Sequence, residues 1–253
     1  MGDGPHPGTS EALNDYLFDT CGYLKCAGHV GEAEVAVLRA QLTPHWEKTR
    51  SSGTQRIRNL LGVSNRFLTL ADQLPQGLSL YRYINQPYRL IESYALHRSA
   101  GSRLDLHNGF SQQQVSRCGS ASRSMWRHHT YHDGKTYCMM IKVLLYLTDV
   151  QSREDGPFCL IDGSHKANYS LPLTSQELEA AIATKAFPSL STVHVNAGDV
   201  IVINEALMHG TLPKTSNQPR IVLAFSYAPR FVADYDETPS VSESAISRTG
   251  FYR

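Results

Sequence analysis

Among the eleven histidines of this 253-residue chain, two stand where a metal ion could be gripped. His107 lies in SRLDLHNG (102–109), where Leu104 and Leu106 alternate with Asp105 and His107. That period of two puts Asp105 and His107 on the same face of a strand. His209 lies far downstream in NEALMHGT (204–211), just after GDVIVIN, an apolar run opened by a Gly-Asp turn that predicts a buried strand. Two histidines at strand ends, distant in sequence, suit a metal site inside a β-barrel. The donor that usually joins them is a carboxylate, which completes the 2-His-1-carboxylate face of non-haem Fe(II) centres. Its usual place is two residues after the first histidine, and here that residue is Gly109.

No other histidine restores the missing acid. His45-Trp46-Glu47 has the right letters but falls in an N-terminal helical stretch, and His128, His129 and His132 have no acidic residue two positions on. Asp105, on the His107 face, and Asp133, beside His132, are therefore candidate carboxylates. Taken alone, a His-x-Gly at a strand end is an ordinary turn, and Asn108-Gly109 is a good hairpin signal.

These residues need a scaffold, and the rest of the chain supplies one. Residues 1–8 are Gly/Pro-rich and read as loose. Ser10 and Glu11, followed by Leu13, Tyr16 and Leu17, predict a capped helix. GYLK (22–25) predicts a short strand. Val35, Leu38 and Leu42 share one face of a second helix, with Pro44 near its end. A third helical segment is expected within RIRNLLGVSNRFLTLADQ. From there the pattern turns to strands: LSLYRYI (78–84), YRLIESYAL, 103–107, YCMMIKVLLYLTD (137–149) and PFCLI (157–161). LTSQELEAAIATKAF (173–187) predicts a helix capped by Ser175. STVHVNAGDVIVIN predicts two strands, and RIVLAFSYAP (220–229) a last one. The tail from 233 is polar and reads as loose. Short strands punctuated by turn residues indicate a mainly β, double-stranded β-helix (jelly-roll, cupin-like) core with packed N-terminal α-helices, in one domain over 1–253.

Composition narrows the function classes. Lys plus Arg number 24 and Asp plus Glu 23, so a net charge of +1 gives no attraction to a nucleic acid polymer or a membrane. Five cysteines, Cys21, Cys26, Cys118, Cys138 and Cys159, have no CxxC spacing and read as free thiols of a reducing, cytoplasmic compartment. No apolar run approaches the ~18 residues of a membrane helix, and the N-terminus does not read as a signal peptide.

Three stretches together carry a family resemblance: VLLYLTDVQSREDGPFCLIDGSHKANY (143–169), AGDVIVINEALMHGT, and Arg220 at the head of the next strand. Over nearly its full length the chain resembles the phytanoyl-CoA dioxygenase-like family of Fe(II)/2-oxoglutarate oxygenases. The resemblance implies that His107 and His209 bind iron. It also implies that Arg220 pairs with the far carboxylate of 2-oxoglutarate, with Thr211 assisting. Guanidinium suits that task, since it offers a permanently charged fork that matches a carboxylate. The departure is Gly109. His-x-Gly in place of His-x-Asp resembles the iron halogenases of this superfamily, in which chloride enters the vacated position. On that reading Fe(II), 2-oxoglutarate, O2 and chloride act together to chlorinate an unactivated C–H. A hydroxylase of the same family with its acidic ligand elsewhere, and a catalytically silent binding protein of the same fold, are the alternatives. His165 of GSHK reads as a loop residue that orders its neighbours.

The resemblance also implies an inserted loop at about 110–136. It holds Arg117, Arg123, Arg127, Lys135, His128, His129 and His132 against Asp133 alone, interleaved with Trp126, Tyr131 and, just beyond, Tyr137. One reading is a solvated loop. The other is a cationic wall for a small anionic substrate, with rings that stack on a nucleotide-like group.

Overall fold

The computed structural model describes residues 11–47, 53–108, 129–169, 171–188 and 190–232. The loose termini expected at 1–8 and 233–253 lie outside them, as do Gly109 and most of the 110–136 segment.

Two antiparallel sheets face each other. Six strands run in the order β1 (Tyr23–Cys26), β10 (Val200–Asn204), β7 (Ile141–Tyr146), β12 (Arg220–Pro229), β3 (Tyr88–Arg98) and β2 (Thr54–Arg58). Four make the second sheet: β4 (Leu104–His107), β11 (His209–Thr211), β8 (Phe158–Leu160) and β9 (Ser191–Val193). A separate hairpin pairs β5 (His129–His132) with β6 (Lys135–Cys138). This is the jelly-roll core. Leu144, Tyr146, Phe158, Leu160, Ile201, Ile203, Val222 and Ala224 fill the space between the sheets. The other face of the six-stranded sheet, with Val143, Leu145, Val202, Leu223 and Phe225, packs on the N-terminal helices. Both faces being covered, β7, β10 and β12 are buried at every residue, which is why they read as continuous apolar runs instead of alternating ones.

The helices are α1 (Glu11–Cys21), α2 (Glu32–Glu47), α3 (Asn65–Gly77), α4 (Tyr81–Ile84) and α5 (Ser175–Ala183). Pro44 sits inside the last turns of α2. The cap of α5 is Thr174 and not Ser175: its hydroxyl accepts from the Glu177 amide while the Glu177 carboxylate accepts from Thr174 N.

Two element expectations need correction. LSLYRYI is not a strand. Leu80, Tyr83 and Ile84 are buried and Tyr81 is exposed, a helical spacing, and the Tyr83 ring stacks on Phe18 of α1 at 4.1 Å. The helical segment expected within RIRNLLGVSNRFLTLADQ is α3, and the start of that stretch belongs to the edge strand Thr54–Arg58, which pairs along β3. YCMMIKVLLYLTD is broken in two, its first residues belonging to β6 of the hairpin and Ile141 starting β7. Between α2 and the sheet, Val30 N donates to Gly198 O (3.0 Å) across a turn that only glycine fits. Gly198 has φ +93°, and a Cβ there would meet Val30 O at 2.2 Å.

Candidate metal and cosubstrate site

His107 and His209 stand directly opposite one another on β4 and β11, with ring centroids 4.4 Å apart. Backbone carbonyls fix both rings. His107 Nδ1 lies 2.9 Å from Asp105 O, and His209 Nδ1 lies 2.7 Å from Leu207 O. A carbonyl only accepts, so each Nδ1 carries the hydrogen and each Nε2 keeps its lone pair for a metal. Burial pushes both imidazoles below their usual range. Glu205 and the Asp105 carbonyl pull His107 the other way without overcoming burial, while Lys142 and Arg98 add to the lowering, and His209 is lowered further by His107 and Lys142. Neutral imidazole is the form that coordinates.

A third donor joins them. Glu205, in the turn between β10 and β11, places a carboxylate oxygen within 4.8 Å of the ligand nitrogens of both histidines. The turn is held firmly: Glu205 N donates to Met140 O, Ala206 N to Asn204 Oδ1, and Asn204 N to Gly22 O. Glu205 is only 2% exposed, and its Oε1 accepts from Lys142 Nζ at 2.8 Å while Oε2 is buried with no partner. A buried carboxylate oxygen without a hydrogen bond is costly unless a cation completes it. Two neutral imidazoles and a carboxylate are the donor set that non-haem iron takes, so the residues fit the metal the sequence implied.

The charge behind Glu205 is organised on the inner face of the six-stranded sheet. Lys142 Nζ lies 3.9 Å from Glu92, which takes Arg56 at 2.6 Å and the Ser226 hydroxyl at 2.9 Å. The Arg56 guanidinium in turn covers the Tyr94 ring at 3.8 Å.

Neither carboxylate expected from the sequence enters the cluster. Asp105 is exposed and paired with Arg103. Asp133 sits at the exposed tip of the β5–β6 hairpin against His132. Glu205 was not among the carboxylates the sequence offered, which were the position two after a histidine, Asp105 and Asp133, and not the turn ahead of His209. The signals for it were an acid inside the otherwise apolar stretch before His209 and one lysine, Lys142, within the apolar strand facing it.

The GSHK stretch acts on the geometry from outside the donor set. Ser164 Oγ accepts from Met208 N and Ile161 N donates to Met208 O, so Met208, next to His209, is clamped on both sides. His165 is buried and donates from Nε2 to Asp19 O at 3.0 Å, and its pKa is pushed down to about 4 mainly by burial. It is an ordering residue, as the sequence suggested.

Arg220 opens β12 and is 3% exposed in the interior near Tyr146. Thr211 Oγ1 accepts from Leu104 N at 3.0 Å, which ties β4 to β11. Of the expected cationic wall, Arg117, Arg123, Trp126, Arg127 and His128 lie outside the described residues. His129 turns inward, 2.9 Å from Asn204 Nδ2 and 3.5 Å from Asp19. Tyr131 is 68% exposed, and Lys135 is also exposed.

The phytanoyl-CoA dioxygenase (PhyH) family profile matches residues 18–222. The chain belongs to the phytanoyl-CoA dioxygenase family. No curated protein sequence matches it. Among solved structures, it is similar to HygX from Streptomyces hygroscopicus with nickel and 2-oxoglutarate bound, at 36% identity and TM-score 0.74 over 94% of each chain. The same protein with nickel, 2-oxoglutarate and hygromycin B aligns at 36% identity and TM-score 0.71, over 92% of this chain and 97% of that one. AviO1 from Streptomyces viridochromogenes Tue57 shares the fold at 17% identity and TM-score 0.63, over 89% of this chain and 98% of that one. HygX, a protein of this shape, is thus seen with a metal and 2-oxoglutarate bound, and His107, Glu205 and His209 of this phytanoyl-CoA dioxygenase relative gather where two strands and a turn converge.

Proposed function

We propose that the protein is a non-haem Fe(II)/2-oxoglutarate-dependent oxygenase in which His107, Glu205 and His209 hold the iron and Arg220 receives the far carboxylate of 2-oxoglutarate. The observation that carries this reading is Glu205. A buried, half-satisfied carboxylate beside two neutral imidazoles replaces the acid missing at position 109. When bound, iron and 2-oxoglutarate supply, with O2, the power to oxidise an unactivated C–H bond. The chain's own residues orient these groups. Asp105 and Leu207 carbonyls set the imidazole tautomers, Lys142 fixes one oxygen of Glu205, and the walls from β7, β8 and β12 keep water away.

The substrate is a small molecule, a reading supported by the HygX structure that holds hygromycin B. The anionic, nucleotide-like preference rests on Arg117, Arg123, Trp126, Arg127 and His128, which lie outside the described residues. Chlorination is the second reading and rests on His107-Asn108-Gly109. With Glu205 as third ligand the iron has no need of a halide, so oxygenation takes precedence.

One titration separates the two. Protein loaded anaerobically with Fe(II) and 2-oxoglutarate should show the weak visible charge-transfer band of the chelate, and chloride should leave it unmoved. A band that shifts with chloride would make the protein a halogenase. No band at all would make it a family fold without the family chemistry.

A further inference from the structure

Arg98, at the end of β3, stands directly opposite Arg220 in the β3–β12 ladder. Directly opposed cross-strand residues share a face. On β12 that face is the one of Val222 and Ala224, which line the space between the sheets. Both guanidiniums are therefore interior: Arg98 is 5% exposed and Arg220 3%. Arg98 Nε and Arg220 Nε and Nη1 are buried without a hydrogen-bond partner, and among the described residues neither arginine has an acidic partner. The remaining cation nearby, Lys214, is spent on the carbonyl and hydroxyl of Ser216.

Two buried like charges side by side are an expensive arrangement. Burial and the neighbouring Arg220 push Arg98 down to about 10, and burial lowers Arg220 as well. The cost is offset only when an anion enters between them, for which paired forks offer more N–H donors than one arginine can. Tyr146, buried beside both, adds a ring and a hydroxyl to the same corner.

We propose that Arg98 is a second 2-oxoglutarate-binding residue, receiving the far carboxylate together with Arg220. The proposal rests on the oxygenase reading above. It makes the anion site a two-guanidinium clamp, preorganised by the strand ladder, whose second arm comes from β3.

The test is the affinity of 2-oxoglutarate for the full chain loaded with Mn(II) under nitrogen, measured calorimetrically, with Mn(II) alone titrated in parallel. Arg98→Met should weaken 2-oxoglutarate at least tenfold, leave Mn(II) affinity unchanged and raise the melting temperature of the ligand-free protein, since an unpaired buried charge is gone. Arg98→Lys should recover part of the affinity. A residue that only supports the fold would give the opposite pattern: a lower melting temperature and losses of Mn(II) and 2-oxoglutarate binding together. Arg98→Met binding 2-oxoglutarate within twofold of the wild type would overturn the proposal and leave the oxygenase reading intact. If Arg98→Met fails to fold, the Arg98→Lys value decides, wild-type affinity refuting the clamp. Wild-type protein that binds Mn(II) but not 2-oxoglutarate would instead overturn the oxygenase reading, and the clamp with it.

Discussion

Glu205 and Lys142 form the pair on which the candidate centre turns. The ammonium and the carboxylate meet at 2.8 Å with side-chain exposures of 10% and 3%. Attraction is strong in such surroundings, but so is the loss of hydration, and the pair itself adds little net stability. Removing one member is a different matter, because it strips a buried charge of its nearest partner, leaving Lys142 with the more distant Glu92. Glu205→Leu in the metal-free protein should cost about 3–5 kcal/mol in urea unfolding. The double variant Glu205→Leu/Lys142→Met should recover most of that loss, since both charges disappear together. If the two losses simply added, Lys142 would not be the residue that holds Glu205. His107 and His209 stood out in the sequence as histidines at strand ends, and the family resemblance pointed to Arg220. The sequence hid Glu205 and Arg98. Their significance arises only when a turn from one sheet meets a strand of the other, or when two strands distant in sequence pair.

At the scale of the elements, the spacing of the two imidazoles is set by how closely β4 and β11 approach. Gly210, between His209 and Thr211, allows that approach: a Cβ there would lie 2.5 Å from Leu104 O, a backbone atom that cannot step aside alone. Gly210→Ala should therefore push β4 off β11 and move His107 relative to His209. Overpacking of this kind costs about 1–3 kcal/mol. It should also weaken Fe(II) binding on the order of 10-fold, as a disturbed supporting shell does. Near-native unfolding and native iron affinity in this variant would show that the strand spacing does not set the site. The strands themselves were largely legible, since β10 and β12 are mostly apolar. The segment 78–84 was not, because Leu, Tyr and Ile suit a strand in isolation and only the packing of Leu80, Tyr83 and Ile84 on α1 and α3 selects a helix.

Across the whole molecule, a net charge of +1 conceals a strongly uneven interior. Lys142, Glu92, Glu205 and Arg56 occupy one part of the inter-sheet space and Arg98 and Arg220 another, with His107 close to members of both groups. One part suits a cation and the other an anion, which is the division of labour that a metal with an anionic cosubstrate requires. Turn-punctuated strands announced the jelly roll, but the choice of which acid completes the centre belongs to three-dimensional packing. Among the described residues no helix is long and apolar enough to cross a membrane. The most direct test of the account is Fe(II) affinity, by anaerobic titration, in three variants: Glu205→Gln, Asp105→Asn and Asp133→Asn. Loss of a ligand should exceed the roughly 10–100-fold that loss of an outer-shell partner costs, so Glu205→Gln should bind on the order of 100-fold more weakly or worse. Asp105→Asn and Asp133→Asn, both on exposed ion pairs, should bind as the wild type does. Native affinity in Glu205→Gln, or a comparable loss in either aspartate variant, would contradict a centre built from His107, Glu205 and His209.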